Sequence, residues 1–265
     1  MPAEYKLIYH AGIPGRGEFA RLFFEATGTP YEDTALTVGQ DGVKPLFDGS
    51  FEHSDKNPLP FAPPALQHGE VVISQTPNIL LYLATHIAAP IDLEAGGEEG
   101  EPASKKTKAS PLSVDDPALF HALGFTLTIL DLNNETHDSH HPVAVCDYYE
   151  DQKNEAIRRA TDFRKNRVPK FFKHFEDNLQ RNSKGGFLLD SGPSFADLAL
   201  FQVVDGLKFA FPKLLAKLEP QYPKLFELYE TVKDAPRIKA YLESDRRQKY
   251  SMGVFRRYEE LDEQD

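Results

Sequence analysis

The segment Pro60–Leu83 constrains the fold more than any other part of the chain. In order, it contains a proline pair, an apolar stretch of strand length, a glycine turn, a second such stretch and an apolar run of helical length. Thr76 is predicted to cap this helix, and Pro77 to be its first residue, where the missing N–H of proline costs no hydrogen bond. A helix start carries unpaired N–H groups and the positive end of the helix dipole. The segment therefore predicts a strand–turn–strand–helix unit with a site for a small anion.

Two more strands and two more helices are predicted before this unit. Residues 5–9 have the composition of a strand, and apolar residues then recur at helical spacing until Gly28. A weaker strand is predicted over residues 31–36, and a short helix with a loop over residues 37–58. The order β-α-β-α-β-β-α within residues 1–90 predicts a small mixed sheet that carries helices.

The chain changes character after this first domain. Residues 91–117 are rich in glycine, glutamate and lysine and hold no aromatic residue, so they predict a flexible polar linker. Residues 118–265 show only helical patterns and predict an all-α domain. The predicted helices cover residues 118–137, 151–181, 194–209, 222–233 and 236–242. Pro169 is expected to kink or divide the second of them, and the acidic end of the chain, Glu259–Asp265, is expected to fray.

Charge and composition exclude several classes of function. A net charge of −11 argues against a general nucleic-acid-binding protein, which needs a cationic surface. The chain has no apolar run of membrane-spanning length and no signal-peptide pattern, so we expect no membrane association. The one cysteine, Cys146, excludes an internal disulfide and is typical of a reducing compartment, which makes the cytoplasm the expected location.

A capping box is predicted at Ser194. The Ser194 side chain can accept from the N–H of residue 197, and the Asp197 carboxylate can accept from the Ser194 N–H. We therefore interpret Asp197 as a folding residue and not as a catalytic acid.

Taken together, the order and spacing of these features resemble the glutathione transferases, over nearly the whole chain. Four segments carry the resemblance: Tyr5–Leu22, Pro60–Leu83, Asp131–Pro142 and Phe187–Leu200. The strand-end tyrosine and the Gly-Arg-Gly-Glu sequence of residues 15–18 are most similar to the tyrosine-type, sigma-like branch, and the histidine-rich segment is similar to a fungal variant. The resemblance implies a thioredoxin-like glutathione-binding domain, an all-α domain that forms the electrophile pocket, and a homodimer.

The resemblance also implies roles for individual residues. Tyr9 would donate its hydroxyl proton to the glutathione sulfur, and Arg16 would orient and polarise Tyr9. A free thiol has a pKa near ~8.5, and a hydrogen bond to the thiolate favours the nucleophilic form. Gln75 and Thr76 would hold the γ-glutamyl carboxylate, and Pro64 would follow a cis peptide bond.

Other contacts to glutathione are implied less directly. Lys44 would hold the glycine carboxylate, with Lys56 as an alternative. Asp131 would reach the γ-glutamyl ammonium across the dimer interface. The implied electrophile pocket includes Ile13, His137 and His141.

The histidines of the segment His137–Pro142 have a second interpretation. His137 and His141 would share a helix face at a spacing that suits metal ligands, if the helix continues that far. We favour a helix end that Pro142 stops, with local hydrogen bonds among the histidines, and expect no metal.

The chain departs from the pattern of the family in two ways. The residue before the cis-proline normally offers glutathione both its N–H and its C=O, but here it is Pro63, which has no N–H. A lost hydrogen bond of about 1 kcal/mol would lower the affinity several-fold. An alternative alignment places the cis bond at Ala62–Pro63. The chain also has no tryptophan to help hold the glycine carboxylate.

The resemblance therefore implies a detoxifying glutathione transferase that directs the thiolate at an electrophilic, hydrophobic substrate. Two alternatives stay open. One is a protein of the same fold that binds ligands or partners with little or no catalysis. The other is a glutathione-dependent isomerase or ether-cleaving enzyme.

Overall fold

The computed structural model describes residues 4–48, 57–93, 112–182 and 185–263. The chain forms two compact units, Met1–Leu123 with Lys233–Lys249, and Gly124–Val232 with Tyr250–Asp265. Most of the predicted linker, residues 94–111, and the alternative lysine at position 56 lie outside the described residues. The proposed domain limits at residues 90 and 117 therefore stay predictions.

The first unit holds a four-stranded mixed sheet. Its strands are β1 (Tyr5–Ile8), β2 (Tyr31–Asp33), β3 (Ala65–His68) and β4 (Val71–Ser74), in the order β2-β1-β3-β4. β1 is parallel to β2 and antiparallel to β3, and β3 is antiparallel to β4. The small mixed sheet predicted from the sequence is confirmed.

The first unit adds α-helices to this sheet, and α-helices make up most of the described residues of the second unit. They are α1 (Glu18–Thr27), α2 (Thr34–Thr37), α3 (Thr76–His86), α4 (Pro117–Asp138), α5 (Lys153–Asp162), α6 (Val168–Arg181), α7 (Phe195–Ala210), α8 (Pro212–Leu218), α9 (Pro223–Asp234) and α10 (Pro236–Leu242). A 3-10 helix covers Gly39–Leu46. Among these helices, none combines the length and the apolar character that a membrane crossing requires.

The second predicted strand is shorter than expected. β2 ends at Asp33 because the Asp33 carboxylate accepts from the Ala35 N–H at 3.0 Å and so caps α2. A local side-chain hydrogen bond of this kind competes with strand pairing. The prediction of a strand as far as residue 36 was wrong for this reason.

The long helix predicted around Pro169 is divided, as expected. A π turn over Phe163–Arg167 separates α5 from α6, and the Val168 N–H donates to the Phe163 carbonyl across it. Pro169 follows at once in the first turn of α6. Because proline has no N–H to donate to the carbonyl four residues earlier, the regular hydrogen-bond ladder is interrupted there.

The capping box at the start of α7 is confirmed. The fully buried Asp197 carboxylate accepts from the Ser194 N–H at 2.7 Å, from the Ser194 Oγ at 2.8 Å and from the Leu188 N–H at 2.8 Å. The Ser194 Oγ accepts from the Ala196 N–H at 3.3 Å. Burial raises the pKa of Asp197 to about 6, and these hydrogen bonds offset part of that rise.

The acidic end of the chain is not frayed within the described residues. Asp262 is buried, and its carboxylate accepts from the Lys213 N–H at 2.7 Å and from the Leu214 N–H at 3.1 Å. It thereby satisfies the first N–H groups of α8, a helix that the sequence did not predict. The prediction of a frayed tail was wrong because the acidic side chain caps a helix far away in sequence.

Candidate active site

Three strands of the first unit have terminal residues that pair in one row, which we call the sheet edge: the last residue of β1, the first of β3 and the last of β4. Ile8 of β1 pairs with Ala65 of β3, and Ala65 pairs with Ser74 of β4. The chain continues past this aligned row into three predicted site residues, Tyr9, Pro64 and Gln75. Neighbouring strands lie about 4.8 Å apart, so the register alone brings these three residues side by side.

Tyr9 is enclosed by the loop that follows it. Its side chain is buried, and its hydroxyl oxygen accepts from the Arg16 backbone N–H at 2.8 Å. A Cβ atom added at Gly17 would lie 2.6 Å from Tyr9 Cγ, and one added at Gly15 would overlap the Tyr9 hydroxyl. Only glycine at these two positions lets the backbone approach the ring so closely.

The environment of Tyr9 keeps its hydroxyl protonated. Burial raises the pKa of Tyr9, while the Arg16 N–H and the charges of Arg16 and Arg21 oppose the rise. Because the oxygen accepts from the Arg16 N–H, the O–H proton can be donated to an anion at the sheet edge. This is the state required of a donor to a thiolate.

The sequence did not identify Arg21 as a residue of this site. Its guanidinium is fully buried and donates to Asp33 at 2.6 Å, to Glu18 at 3.2 Å and to the Pro14 carbonyl at 3.1 Å. Its carbon Cζ lies 5.7 Å from the centre of the Tyr9 ring. Arg21 thus fixes the loop that carries the Arg16 N–H. It could not be found from the helical pattern, because a charged residue off the apolar stripe normally faces solvent.

Glu18 completes this buried network. Its carboxylate also accepts from the Tyr241 hydroxyl at 2.6 Å and pairs with Arg247. Burial opposes ionisation of Glu18, but the charges of Arg247 and Arg21 outweigh it and hold the pKa of Glu18 below its usual value. The loop before α1 is therefore anchored to the α10 region of the same unit.

Gln75, not Thr76, precedes the first turn of α3. Gln75 is the N-cap with φ of 70°, its side chain is exposed, and no side chain caps the helix within the part of the chain that the structure describes. Thr76 is buried in the first turn, and its hydroxyl donates to the Arg16 carbonyl at 3.4 Å. The predicted cap was wrong because Thr76 bonds to Arg16 instead. The helix N-terminus remains a suitable anion site.

The cis peptide bond predicted before Pro64 is confirmed, because the Pro63–Pro64 bond is cis. The alternative alignment with a cis bond at Ala62–Pro63 is not observed. Pro63, the residue before this bond, therefore offers a carbonyl oxygen but no N–H.

The remaining predicted site residues are spread over both units. In the first unit, Lys44 is exposed on the 3-10 helix and pairs with Asp41 at 2.8 Å, and Ile13 is partly exposed in the loop after β1. In the second unit, Asp131 is exposed on α4, while His137 and His141 lie at the end of that helix. The predicted pocket and glycine-carboxylate contact stay predictions.

Comparisons with known proteins agree with this architecture. Residues 137–245 match the family model described as the C-terminal domain of glutathione S-transferase. The match spans 109 of the 265 residues, so it shows a likeness to this family over part of the chain. Membership of the whole chain in the family, and its tyrosine-type, sigma-like and fungal subclass, stay predictions.

The relatives and solved structures that resemble this chain are distant from it in sequence. A protein named glutathione S-transferase from Plasmodium yoelii yoelii is 23% identical over 228 residues, which cover 86% of this chain and 88% of the relative. The solved pi-class glutathione S-transferase of Onchocerca volvulus has a TM-score of 0.58 at 22% identity and covers 91% of this chain and 92% of that chain. Prostaglandin synthase D of Nilaparvata lugens has a TM-score of 0.58 at 18% identity, with coverage of 92% and 98%. These likenesses show the fold.

Proposed function

We propose that this protein is a glutathione transferase that binds glutathione at the sheet edge of the first unit. The Tyr9 hydroxyl donates to the glutathione sulfur and stabilises the thiolate, which attacks an electrophilic carbon of a hydrophobic substrate. The observation that carries the proposal is the double use of the Arg16 backbone. Its N–H donates to Tyr9 at 2.8 Å, and its carbonyl accepts from Thr76 at 3.4 Å.

This link joins the two ends of the proposed site. The cysteinyl sulfur would lie at Tyr9, and the γ-glutamyl carboxylate at the uncapped N-terminus of α3, next to Gln75 and Thr76. Such a terminus favours a carboxylate through its unpaired N–H groups and its dipole. The Arg16 charge lowers the cost of negative charge near the tyrosine.

The rest of the proposal rests on the resemblance to the family. Lys44 holds the glycine carboxylate, and Asp131 reaches the ammonium group from the partner in a homodimer. Ile13, His137 and His141 border the electrophile. The protein acts on detoxification substrates in the cytoplasm.

Pro63 favours a second candidate function. Because glutathione would lose one main-chain donor there, the protein could bind small apolar ligands in the same fold without efficient catalysis. Glutathione affinity and conjugation rates separate the two functions.

The test measures glutathione binding by calorimetry and conjugation of a chloronitrobenzene by wild type, Tyr9→Phe and the control Tyr5→Phe. Tyr5 is also a buried tyrosine and begins the strand that Tyr9 follows. A hydrogen bond to a charged group contributes about 1.5–3 kcal/mol, so we expect Tyr9→Phe to lower kcat/KM by about 10- to 150-fold. Tyr5→Phe should keep the wild-type rate.

Two results would decide against the proposal. If the wild type does not bind glutathione, the chain is not a glutathione transferase and the ligand-binding candidate stands. If glutathione binds but Tyr9→Phe conjugates as fast as Tyr5→Phe, Tyr9 is not the thiolate donor.

A further inference from the structure

Three histidines converge at the end of α4 in the second unit; we call His137, His140 and His141 the histidine cluster. α4 ends at Asp138, but the chain keeps turning, since the N–H groups of His140 and His141 both donate to the His137 carbonyl at 3.2 Å. The rings of His137 and His141 therefore remain on one face, with centres 5.1 Å apart and planes 15° apart. The His140 ring packs steeply against both, at 4.9 and 4.7 Å.

The cluster brings ring nitrogens together. One nitrogen from each of the three imidazoles lies within 4.8 Å of the others, and the Nδ1 atoms of His140 and His141 are 2.5 Å apart. Two lone pairs repel each other when they face at this separation, whereas a hydrogen bond between the rings or a cation shared by both nitrogens would satisfy them. Two nitrogen ligands of a tetrahedral zinc ion, each about 2.0–2.1 Å from the metal, are about 3.3 Å apart. Ring movements on the order of 1 Å would reach that geometry.

His140 is held as metal-bound histidines usually are. Its Nε2 lies 2.9 Å from the Val254 carbonyl oxygen. A carbonyl only accepts, so Nε2 carries the proton and Nδ1 presents its lone pair to the cluster. A second ring nitrogen that donates to a backbone carbonyl is the common outer support of a histidine ligand, because it sets both tautomer and ring orientation.

We propose that the histidine cluster binds one zinc ion through the three imidazoles, with a water molecule as fourth ligand. His140 and His141 are buried, while His137 is partly exposed and leaves a route for the ion. Three neutral nitrogen donors suit zinc, whereas magnesium and calcium require oxygen ligands. This proposal replaces the sequence-based expectation of no metal, and it does not depend on the proposed transferase activity.

A buried polar side chain nearby fits the same site. Asn133 lies one helical turn before His137 on the same face of α4 and is fully buried. Among the described residues, neither amide atom of its side chain has a hydrogen-bond partner. Buried polar groups without partners are rare in native proteins. A metal-bound water at the open position would supply that partner.

The test uses the full chain without an affinity tag, stripped with a chelator and dialysed. Zinc is titrated in competition with a chromogenic indicator, and the expected result is one zinc per chain at micromolar or tighter affinity. His137→Gln and His141→Gln should each weaken binding by at least about 10- to 100-fold, the range found when even an outer support is lost. The matched control is His121→Gln, an exposed histidine on the same helix, which should bind as the wild type does.

Two further measurements guard against misfolding and against surface binding. Zinc should raise the thermal unfolding midpoint of the wild type and of His121→Gln, but not that of His137→Gln. Cobalt should give the visible absorption of a tetrahedral site in the wild type, and excess magnesium should not displace zinc.

The zinc titration of the wild type is decisive by itself, so the test remains valid even if a variant does not fold. Absence of zinc binding by the wild type overturns it. Equal losses in His121→Gln and His137→Gln also overturn it, because they assign the binding to surface histidines in general.

Discussion

Glycine-to-alanine substitutions in the loop around Tyr9 should show whether the reaction rate depends on the position of the Tyr9 ring or only on the stability of the loop. Gly17→Ala would place a Cβ atom 2.6 Å from Tyr9 Cγ and 2.7 Å from its Cδ1. Carbon atoms in ordinary contact are about 3.5–4.0 Å apart, so the ring must move by about 1 Å. Because the ring is buried, the extra methyl should cost about 1–3 kcal/mol of stability.

This displacement of the Tyr9 ring should lower the conjugation rate more than the affinity for glutathione. A shift of about 1 Å in a group that positions the reacting atoms can cost about 100-fold, so we expect Gly17→Ala to lower kcat/KM by about 10- to 100-fold. Gly15→Ala adds a second cost, because its φ of 47° lies in the left-handed region and an alanine there loses about 1–2 kcal/mol.

Gly12→Ala is the matched control in the same loop. Its φ of 81° carries a comparable backbone cost, but a Cβ atom there meets nothing within 4 Å. We expect Gly12→Ala to lower the unfolding midpoint and to leave kcat/KM within about twofold of the wild type, since no ring is displaced. The assays are chloronitrobenzene conjugation and thermal unfolding monitored by circular dichroism. If folded Gly15→Ala and Gly17→Ala conjugate glutathione as fast as Gly12→Ala, the position of Tyr9 does not govern the reaction.

Three other substitutions test separate parts of the account. Pro63→Ala restores a main-chain donor worth about 1 kcal/mol, so calorimetry should show about fivefold tighter glutathione binding; unchanged affinity would contradict the proposed contact. A lysine in Arg21→Lys cannot satisfy both the Asp33 and the Glu18 carboxylates, which are buried. Urea unfolding should therefore show a free energy of unfolding that is lower by about 3–5 kcal/mol, and a decrease of less than about 1 kcal/mol would refute this. Asp197 holds its proton more tightly when folded, with a pKa of about 6, so its contribution is full below pH ~4 and falls as pH rises through 6. The free energy of unfolding of the wild type, relative to that of Asp197→Asn, should therefore fall by about 2–3 kcal/mol between pH 4 and 7. If this difference does not change with pH, the pKa of Asp197 is not raised.

Much of the fold could be predicted because its signals are local. Periodic apolar residues and the stop at Gly28 located α1, whose Gly28 end has φ of 66°. The capping box at Ser194 located the start of α7, and the position of Pro169 predicted the interruption before α6. Each of these signals acts within one or two helical turns, which is the range that a sequence pattern can report.

Two of the errors come from contacts between distant segments, whereas β2 ends early because of the local bond between Asp33 and Ala35. Thr76 did not become a cap because its hydroxyl bonds to Arg16, and the acidic tail did not fray because Asp262 caps α8. In both cases a polar group satisfied its hydrogen bonds far away in sequence, where no local pattern could indicate them. Arg21 was missed for another reason, because its partners lie within 12 residues but are brought around its guanidinium only by the folding of the intervening loop and strand.

The sequence pattern identified most residues of the candidate sites, but it could not predict which of them contact one another. The sequence alone determined that a tyrosine lies at the end of the first strand, that two prolines precede the third strand, and that three histidines lie around the end of α4. Only the tertiary structure decided that Arg16 links Tyr9 to Thr76, and that Val254 turns the His140 ring toward its neighbours. The physical reason is that residue type and spacing set local conformation, whereas burial and strand register set which polar groups must satisfy one another.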